Sequence, residues 1–274
     1  MVQAMNEPAR VPVPPALAGI LFSCLSDVDA WNARVRTGTA ESPQPGSALA
    51  GDDRWSSELT VSTAALSSLQ VAVDNVDALR TVILDESEPD DPVLRTRPWA
   101  CYPLMRAALE TGAQAVWLLA PPARATRVAR RLSQALTDAG NEDRARANLG
   151  QTDVERLPNR RAQIEAVLAS RPELDAALAT SRTSPTQVLK GAQPYIATQH
   201  LLGLWNALSG ASHGDWWAGL SLSTPTATGA PRLDGRVEVS LASTPERVIL
   251  LYAVVCDVVR TGWELWDERS GIHV

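Results

Sequence analysis

Apolar residues recur at intervals of three and four positions along most of the chain, a spacing that places them on one face of an α-helix. The first stripe predicts a helix over residues 17–35. A second stripe predicts a long helix over residues 53–84, with Asp52 or Asp53 capping its N-terminus. The proline- and glycine-rich residues 37–53 between them predict a loop.

The helical pattern continues through the middle of the chain. A third helix is predicted to begin at Pro98, because proline fits the first turn of a helix, and to end near Leu119, with Pro103 either restarting or kinking it. The last helix has the clearest start signal, Thr244-Pro245-Glu246. The other helices are predicted over residues 123–139, as several short helices within 153–190, and over 195–213.

One region departs from helical spacing. Residues 219–223 and 236–241 alternate apolar with polar side chains, which predicts a β-hairpin near residues 218–241. Residues 1–15 are proline-rich and are predicted to be a loose N-terminal segment. The chain shows no internal repeat and no strong boundary, so residues 16–274 are predicted to form a single helical domain. The expected fold is mainly α, a multi-helix bundle with one small β-hairpin insertion.

The composition of the chain indicates a protein with a core of its own in the cytoplasm. Hydrophobic residues make up 45% of the 274 positions, which is enough for a sizeable core. The chain has no uncharged apolar run long enough to span a membrane, and its first residues lack the pattern of a signal peptide. Cys24, Cys101 and Cys256 are far apart in apolar contexts, which predicts buried thiols in a reducing, cytoplasmic environment.

The charge is acidic overall but uneven. A net charge of −6 disfavours general nucleic-acid binding. Residues 121–190 nevertheless hold 12 basic and 8 acidic side chains, which indicates a solvated face or, alternatively, a partner surface. Almost all the cations are arginine, since Lys190 is the only lysine, and this bias is typical of a GC-rich bacterial genome.

A charged pair lies beside the apolar stripe of the third predicted helix. Arg106 and Glu110 are spaced i,i+4 and share a face with Trp117. One interpretation is a structural ion pair that steers helix packing. The other is a pocket wall that binds a polar ligand, with Arg106 as an anion clamp and Trp117 as a lining residue.

Polar residues also interrupt the apolar stripe of the helix predicted over 195–213. The stripe continues past the predicted helix end, and four of its positions are candidate site residues: Ser209, Ser212, His213 and Trp216. Buried polar groups need partners, so Glu110 is a candidate partner of His213. One interpretation is a core histidine that ties a helix end to its neighbour. The other is a site with His213 and Glu110 as catalytic acid and base and the remaining three as ligand-binding residues.

Sharper motifs are disfavoured. Gly210-Ala-Ser-His-Gly214 matches a nucleophile elbow, but that motif needs a preceding strand and a helix is predicted there. The three histidines, His200, His213 and His273, are too scattered to hold a metal. No phosphate-binding loop, dinucleotide fingerprint or zinc-protease motif occurs. We therefore expect no metal and no cofactor.

A family resemblance rests on residues of two predicted helices. Its segments are Arg106-Ala-Ala-Leu-Glu110, Val116-Trp-Leu-Leu119 with the basic helix after it, and Leu208-Ser209 to His213-Gly214. Together they resemble a group of uncharacterised bacterial helical proteins that pair an Arg-x3-Glu helix with a Ser-x3-His-Gly helix end. The resemblance covers roughly residues 94–220 and implies an all-helical fold with no established activity. Ribonucleases of bacterial defence systems place His four to six residues after Arg, and this chain does not.

These observations favour a helical binding or interaction protein, with stress or defence as a candidate process, because no complete catalytic set is present. The alternative is a small-molecule enzyme or ligand-binding protein with a buried pocket lined by Arg106, Glu110, Ser209, His213 and Trp216. The expected partners are a small-molecule ligand or a second copy of the chain. That homodimer would form through the tryptophan-rich C-terminal helix, and a membrane is disfavoured.

Overall fold

The computed structural model describes residues 9–37, 42–85, 93–96, 99–151, 156–181, 183–231, 234, 237 and 239–272. Helices dominate this part of the chain, so the prediction of a mainly α, multi-helix fold is confirmed. The helices are α1 (Pro15–Arg36), α2 (Ala48–Asp53), α3 (Val61–Ile83), α4 (Cys101–Leu119), α5 (Arg124–Asn148), α6 (Arg156–Ser170), α7 (Leu174–Thr180), α8 (Pro185–Ala192), α9 (Leu201–His213), α10 (Trp216–Leu222) and α11 (Pro245–Ser270). Gln193–Tyr195 form a short 3-10 helix.

In the part of the chain that the structure describes, the strands form two small antiparallel sheets. The first sheet has the order β1-β3-β2, and the second pairs β4 with β5. The strands are β1 (Ala9–Pro12), β2 (Leu84–Asp85), β3 (Val93–Thr96), β4 (Thr224–Ala227) and β5 (Val239–Ala242). The β4–β5 pair confirms the predicted hairpin.

The first strand of that hairpin begins later than predicted. Gly219–Leu222 belong to α10, and β4 begins only at Thr224. The reason is burial at helical spacing, because Ala218, Gly219 and Leu222 are the buried positions of α10. A short Gly-Leu-Ser-Leu-Ser sequence fits both a period of two and a period near four, and packing decides between them.

The other sheet was not predicted. Ala9–Pro12 lie in the segment expected to be loose, yet they pair with β3 in the register Ala9↔Thr96. The Asp85 side chain of β2 is almost fully buried and forms ion pairs with Arg10 and, at 3.2 Å, with Arg95. Pro98, the predicted start of α4, lies outside the described residues, as does His273.

The second predicted helix corresponds to α3 alone, and α2 lies in the segment 37–53 for which a loop is predicted, so that part of the loop prediction is wrong. The chain turns after α2 and begins α3 at Val61, so the predicted start at residue 53 is wrong. Asp53 does cap the N-terminus of α3, although it lies at the end of α2, before the turn that separates the two helices. Its Oδ1 atom accepts a hydrogen bond from the backbone N–H of Ser62 at 3.1 Å, in the first turn of α3.

The chain groups into two compact units. The first unit comprises Met1–Thr39, Gln70–Gly112 and Thr198–Arg260, and the second comprises Ala40–Leu69, Ala113–Ala197 and Thr261–Val274. The helices α3, α4 and α11 each contribute residues to both units. The single helical domain over residues 16–274 stays a prediction.

A buried tyrosine connects three elements of the first unit. Tyr102 on α4 is fully buried, and its hydroxyl donates to the backbone carbonyl of Leu222 at 2.8 Å. The Ser243 hydroxyl lies 2.7 Å from the same oxygen, just before α11. Burial raises the pKa of Tyr102, so the phenol stays neutral and both hydrogen bonds persist across the ordinary pH range.

A buried carboxylate connects α2 and α5 in the second unit. Asp52 is 0% exposed, and the Arg127 guanidinium binds both of its oxygens, Nε to Oδ2 at 2.6 Å and Nη2 to Oδ1 at 2.8 Å. Arg127 also donates through Nη1 to the carbonyls of Pro121 and Pro122. Arg124 adds a third donor to Asp52 at 3.1 Å. The buried carboxylate, which water does not reach, is therefore neutralised and hydrogen-bonded by the two arginines.

The C-terminal helix does not offer the tryptophan face on which the predicted homodimer was based. Trp263 and Trp266 are only 4% and 1% exposed, so both indoles already pack inside the chain. The exposed positions of α11 are Glu246, Leu250, Glu264 and Glu268, which are mostly acidic. The homodimer stays a prediction, without those two indoles as its contact.

Replacing Asp52 with asparagine is expected to lower the free energy of unfolding by about 3–5 kcal/mol, because Arg127 would keep a buried charge without a counter-charge. Urea denaturation followed by circular dichroism measures the change. The control is Glu142→Gln on α5, whose carboxylate pairs with Arg146 but is 43% exposed. We expect a loss below about 1 kcal/mol there. Equal losses in the two variants would contradict the importance of burial.

Candidate functional site

The helix end that carries the predicted site is closed by a glycine. Gly214 has a φ of 79°, in the left-handed region. Its N–H donates to the carbonyl of Ala211 at 3.2 Å, and the N–H of Asp215 donates to the carbonyl of Gly210 at 2.8 Å. These two bonds form a Schellman motif that ends α9 at His213, as predicted. The chain then begins α10 at once.

The first glycine of the Gly210–Gly214 pattern has a packing role. A Cβ atom at Gly210 would lie 2.8 Å from the Cβ of Ala218 and 3.0 Å from Cζ2 of Trp217. Glycine at this position therefore lets α10 approach α9 closely. Gly210 is thus explained by packing and Gly214 by its left-handed backbone, and because the segment before Gly210 is helical, the nucleophile elbow remains disfavoured.

The expected buried polar patch at this helix end is only partly present. Ser209 and Ser212 are half-buried, and the Ser212 hydroxyl donates to the Leu208 carbonyl one turn earlier at 2.7 Å. His213 is exposed, and Trp216 is 61% exposed. The prediction of burial is wrong for His213 and Trp216, because the helical stripe was extrapolated to and beyond the helix end.

The charged pair of α4 contacts α9 through a residue that we had not assigned to the site. The Trp205 indole donates from Nε1 to Oε2 of Glu110 at 2.9 Å. The Arg106 Nη2 atom lies 3.6 Å from the same oxygen, and its guanidinium carbon is 5.4 Å from the Trp205 ring centre. All three side chains are half-buried. The expectation that α9 faces the Arg106–Glu110 pair is thus met by Trp205.

Within the described residues, no hydrogen bond or ion pair joins Glu110 to His213. The physical reason is helix length. His213 lies eight residues after Trp205, which is about 12 Å along a helix axis. In the sequence, Trp205 lies on the same apolar stripe as Ser209 and His213. An indole N–H donates a hydrogen bond but does not titrate, so the charge pattern of the sequence does not mark it as a partner of Glu110.

Trp117, the remaining predicted site residue, lies in the second unit. Its indole is 3% exposed, with the Arg130 guanidinium 4.9 Å from the ring centre. A Cβ atom at Gly191 would lie 2.6 Å from Cδ1 of Trp117, so α8 packs closely against the ring. Burial lowers the pKa of Arg130, which donates to the Trp117 carbonyl. The surroundings of Trp117 are therefore filled by neighbouring residues of its own unit.

The face of α10 is the most exposed aromatic surface at the predicted site. Trp216 and Trp217 are 61% and 53% exposed, and Leu220 is 37% exposed. We call these three residues the aromatic face. On the buried side, a Cβ atom at Gly219 would lie 2.5 Å from the Trp99 ring, so α10 is held closely there as well.

Searches for other site types and for relatives gave no positive result. Among the residues that the structure describes, no group of His, Cys, Asp and Glu side chains could hold a metal ion, and no helix is long and apolar enough to cross a membrane. Comparisons of the chain with protein-family models, with curated proteins and with solved structures found no match. The functional argument therefore rests on the geometry of the chain itself.

Replacing Gly210 with alanine is expected to lower the free energy of unfolding by about 1–3 kcal/mol, because the new methyl group would collide with Ala218. The matched control is Gly203→Ala on the same helix, where nothing lies within 4 Å. That change should stabilise the protein by about 0.5–1 kcal/mol through helix propensity. Thermal and urea denaturation measure both. Stabilisation in both variants would show that α9 and α10 are not in close contact.

Replacing Trp205 with phenylalanine is expected to cost about 1–2 kcal/mol, because the half-buried Glu110 carboxylate loses its indole donor while the aromatic packing remains. Trp216→Phe is the control at an exposed position and should change stability by less than about 0.5 kcal/mol. Chemical denaturation compares the two variants. A Trp205 variant as stable as the control would argue against the hydrogen bond.

Replacing His213 with alanine is expected to change the free energy of unfolding by less than about 0.5 kcal/mol, because the side chain is exposed. The same denaturation experiment measures it. A loss above about 1.5 kcal/mol would instead support the interpretation of His213 as a buried core histidine.

Proposed function

We propose that the protein is a helical binding protein that binds a partner protein through the aromatic face of α10. The observation that carries this proposal is the adjacent pair Trp216 and Trp217, each more than half exposed. Tryptophan is enriched at the energetic centres of protein interfaces, because its large apolar ring gains much free energy when a partner removes it from water.

The fixed position of α10 supports the proposal. One side of the helix packs on α9, where Gly210 allows close contact with Ala218. Gly219 likewise allows close contact with the Trp99 ring. A surface that is already ordered loses little conformational entropy when a partner binds, so more of the contact energy appears as affinity.

The charges favour a partner with basic residues around an apolar segment. Asp215, which precedes the aromatic face, is exposed and acidic. The whole chain carries a net charge of −6. It therefore repels a second copy of itself, and it also repels anionic lipids and nucleic acids. A foreign protein segment that combines apolar anchors with Lys or Arg fits both features.

The contacts of Glu110 favour binding over catalysis. Its Oε2 atom already accepts from Trp205 and pairs with Arg106, while His213 is exposed. A general acid and base must come within hydrogen-bond reach of the same reacting group. We therefore interpret Arg106 and Glu110 as a pair that positions α9 and not as catalytic residues.

The experiment selects a displayed random-peptide library on the wild-type protein and, in parallel, on the W216A/W217A variant. We expect peptides enriched on the wild type alone to contain aromatic or aliphatic anchors with Lys or Arg. Fluorescence polarisation then measures their affinity. The double variant should bind at least about ten times more weakly, which corresponds to about 1.4 kcal/mol.

Phe22→Ala provides the matched control, since Phe22 is 49% exposed on α1 of the same unit. Its affinity for the selected peptides should differ from wild type by less than about two-fold. The proposal fails if no peptide distinguishes wild type from the double variant. It also fails if analytical ultracentrifugation shows a dimer that the double substitution dissolves, because the aromatic face would then bind a second copy.

A further inference from the structure

Two cysteines that are far apart in sequence meet in the first unit. Cys24 lies on α1 and Cys256 on α11. One turn further along each helix, Arg260 Nη2 and Asp27 Oδ2 form an ion pair at 2.5 Å. Asp27 is three residues after Cys24 and Arg260 is four after Cys256, so each ion-pair residue shares a helix face with its cysteine. The ion pair holds these two faces together.

The two thiols are hydrogen-bonded to each other. Cys24 is 3% exposed and Cys256 is fully buried, and both are free thiols, as the sequence predicts. A thiol is a weak donor and a weak acceptor, and in an apolar core each of these two finds the other as its partner. A disulfide brings two sulfur atoms to roughly 2.05 Å, so the two contacting thiols have to move closer together for the bond to form.

The pair is electrostatically asymmetric. The hydrogen bond from Cys256 lowers the pKa of Cys24, and the positive charge of Arg260 acts in the same direction against the effect of burial. The same hydrogen bond and burial raise the pKa of Cys256. Ionisation is therefore favoured at Cys24 and disfavoured at Cys256. A thiolate beside a second thiol is the arrangement of a redox-active pair.

We propose that Cys24 and Cys256 form a redox-modification site at which a hydroperoxide oxidises the two thiols to a disulfide between α1 and α11. The Cys24 thiolate attacks one oxygen of hydrogen peroxide, forming an S–O bond while the O–O bond breaks, and the departing hydroxide takes up the proton that Cys24 released, giving the first water. The Cys256 sulfur then attacks the resulting sulfenic acid. The S–S bond forms, the S–O bond breaks, and the departing hydroxide takes the Cys256 proton as water.

The balance of this reaction is two thiols and one hydrogen peroxide giving one disulfide and two waters. Both sulfur atoms are oxidised by one electron each, and the peroxide is reduced. Thioredoxin-type or small-molecule dithiols reverse it. Disulfides of this transient kind are the ones that occur in reducing compartments.

Cys101 serves as an internal reference. It is 1% exposed in the same unit, and burial raises its pKa to about 12. At neutral pH it is therefore held as a thiol, which reacts slowly with peroxide. Selective loss of two thiols out of three is the signature that the proposal requires.

The test uses the full chain with hydrogen peroxide as the probe. The folded protein is oxidised, quenched with catalase, unfolded in guanidinium and alkylated with N-ethylmaleimide before mass spectrometry. Without peroxide, all three cysteines should be alkylated. After peroxide we expect one alkylated cysteine, Cys101, the loss of two hydrogen atoms, and a cross-linked peptide that contains Cys24 and Cys256.

Thermal denaturation is the second measurement. The disulfide would join residues near the two ends of the chain, and closing so long a loop restricts the unfolded state. We expect the oxidised protein to melt roughly 5–15 °C higher than the reduced one, and dithiothreitol to reverse the change. A lower Tm after oxidation would overturn the proposal, because it would show that the folded state does not bring the two sulfurs to bonding geometry.

Two variants serve as controls. Cys101→Ser should form the same disulfide, whereas Cys256→Ser should stop at the sulfenic acid of Cys24, which dimedone captures. The proposal is overturned if three cysteines remain alkylated after peroxide, if Cys24 accumulates oxygen while Cys256 stays alkylated, or if the cross-link contains Cys101. If Cys256→Ser fails to fold, the peptide map of the wild type decides alone.

Discussion

A carboxylate that water cannot reach has to be neutralised by the chain itself, and the second unit is arranged around one such group. Asp52 receives both arms of the Arg127 guanidinium, and the remaining donors of Arg127 bind the carbonyls of Pro121 and Pro122. One side chain thereby fixes α2, the turn after α4 and the start of α5. Lysine, with a single ammonium group, could not form this planar fork. In the first unit the neutral hydroxyl of Tyr102 connects separate elements through its hydrogen bonds to Leu222 and Ser243, and it needs no counter-charge.

The sequence predicts helices whose bounds depend on neighbouring residues, and it does not predict strand pairs and ion pairs that join distant residues. The apolar spacing of α1 and the Thr244-Pro245 start of α11 are local signals, and the structure places both helices within two residues of the prediction. Strand β1 forms only because β3, more than 80 residues later, pairs with it. The bond between Asp52 and Arg127 spans 75 positions. No local pattern marks such partners, so the sheet and the buried ion pair could not be foreseen.

The candidate site stays a prediction, and two of its side chains, His213 and Trp216, are exposed where burial was predicted. Helical spacing placed Trp205, Ser209 and His213 on one stripe, and that holds as far as the helix continues. The left-handed Gly214 ends the stripe, after which the chain changes direction and Trp216 points to solvent. A periodic pattern carries directional information only within one element. What the sequence suggested as a buried pocket is, in the structure, a tie between two helices followed by an exposed aromatic surface.

The contact between Gly210 and Ala218 has an evolutionary consequence. The helices α9 and α10 can lie this close only because residue 210 has no side chain. Under the proposed binding function, Trp216 and Trp217 can diverge as the partner changes, but residue 210 must remain small for α10 to keep its position on α9. Selection for binding would then leave its strictest record at a buried glycine that never touches the partner, with a correlated limit on side-chain size at position 218.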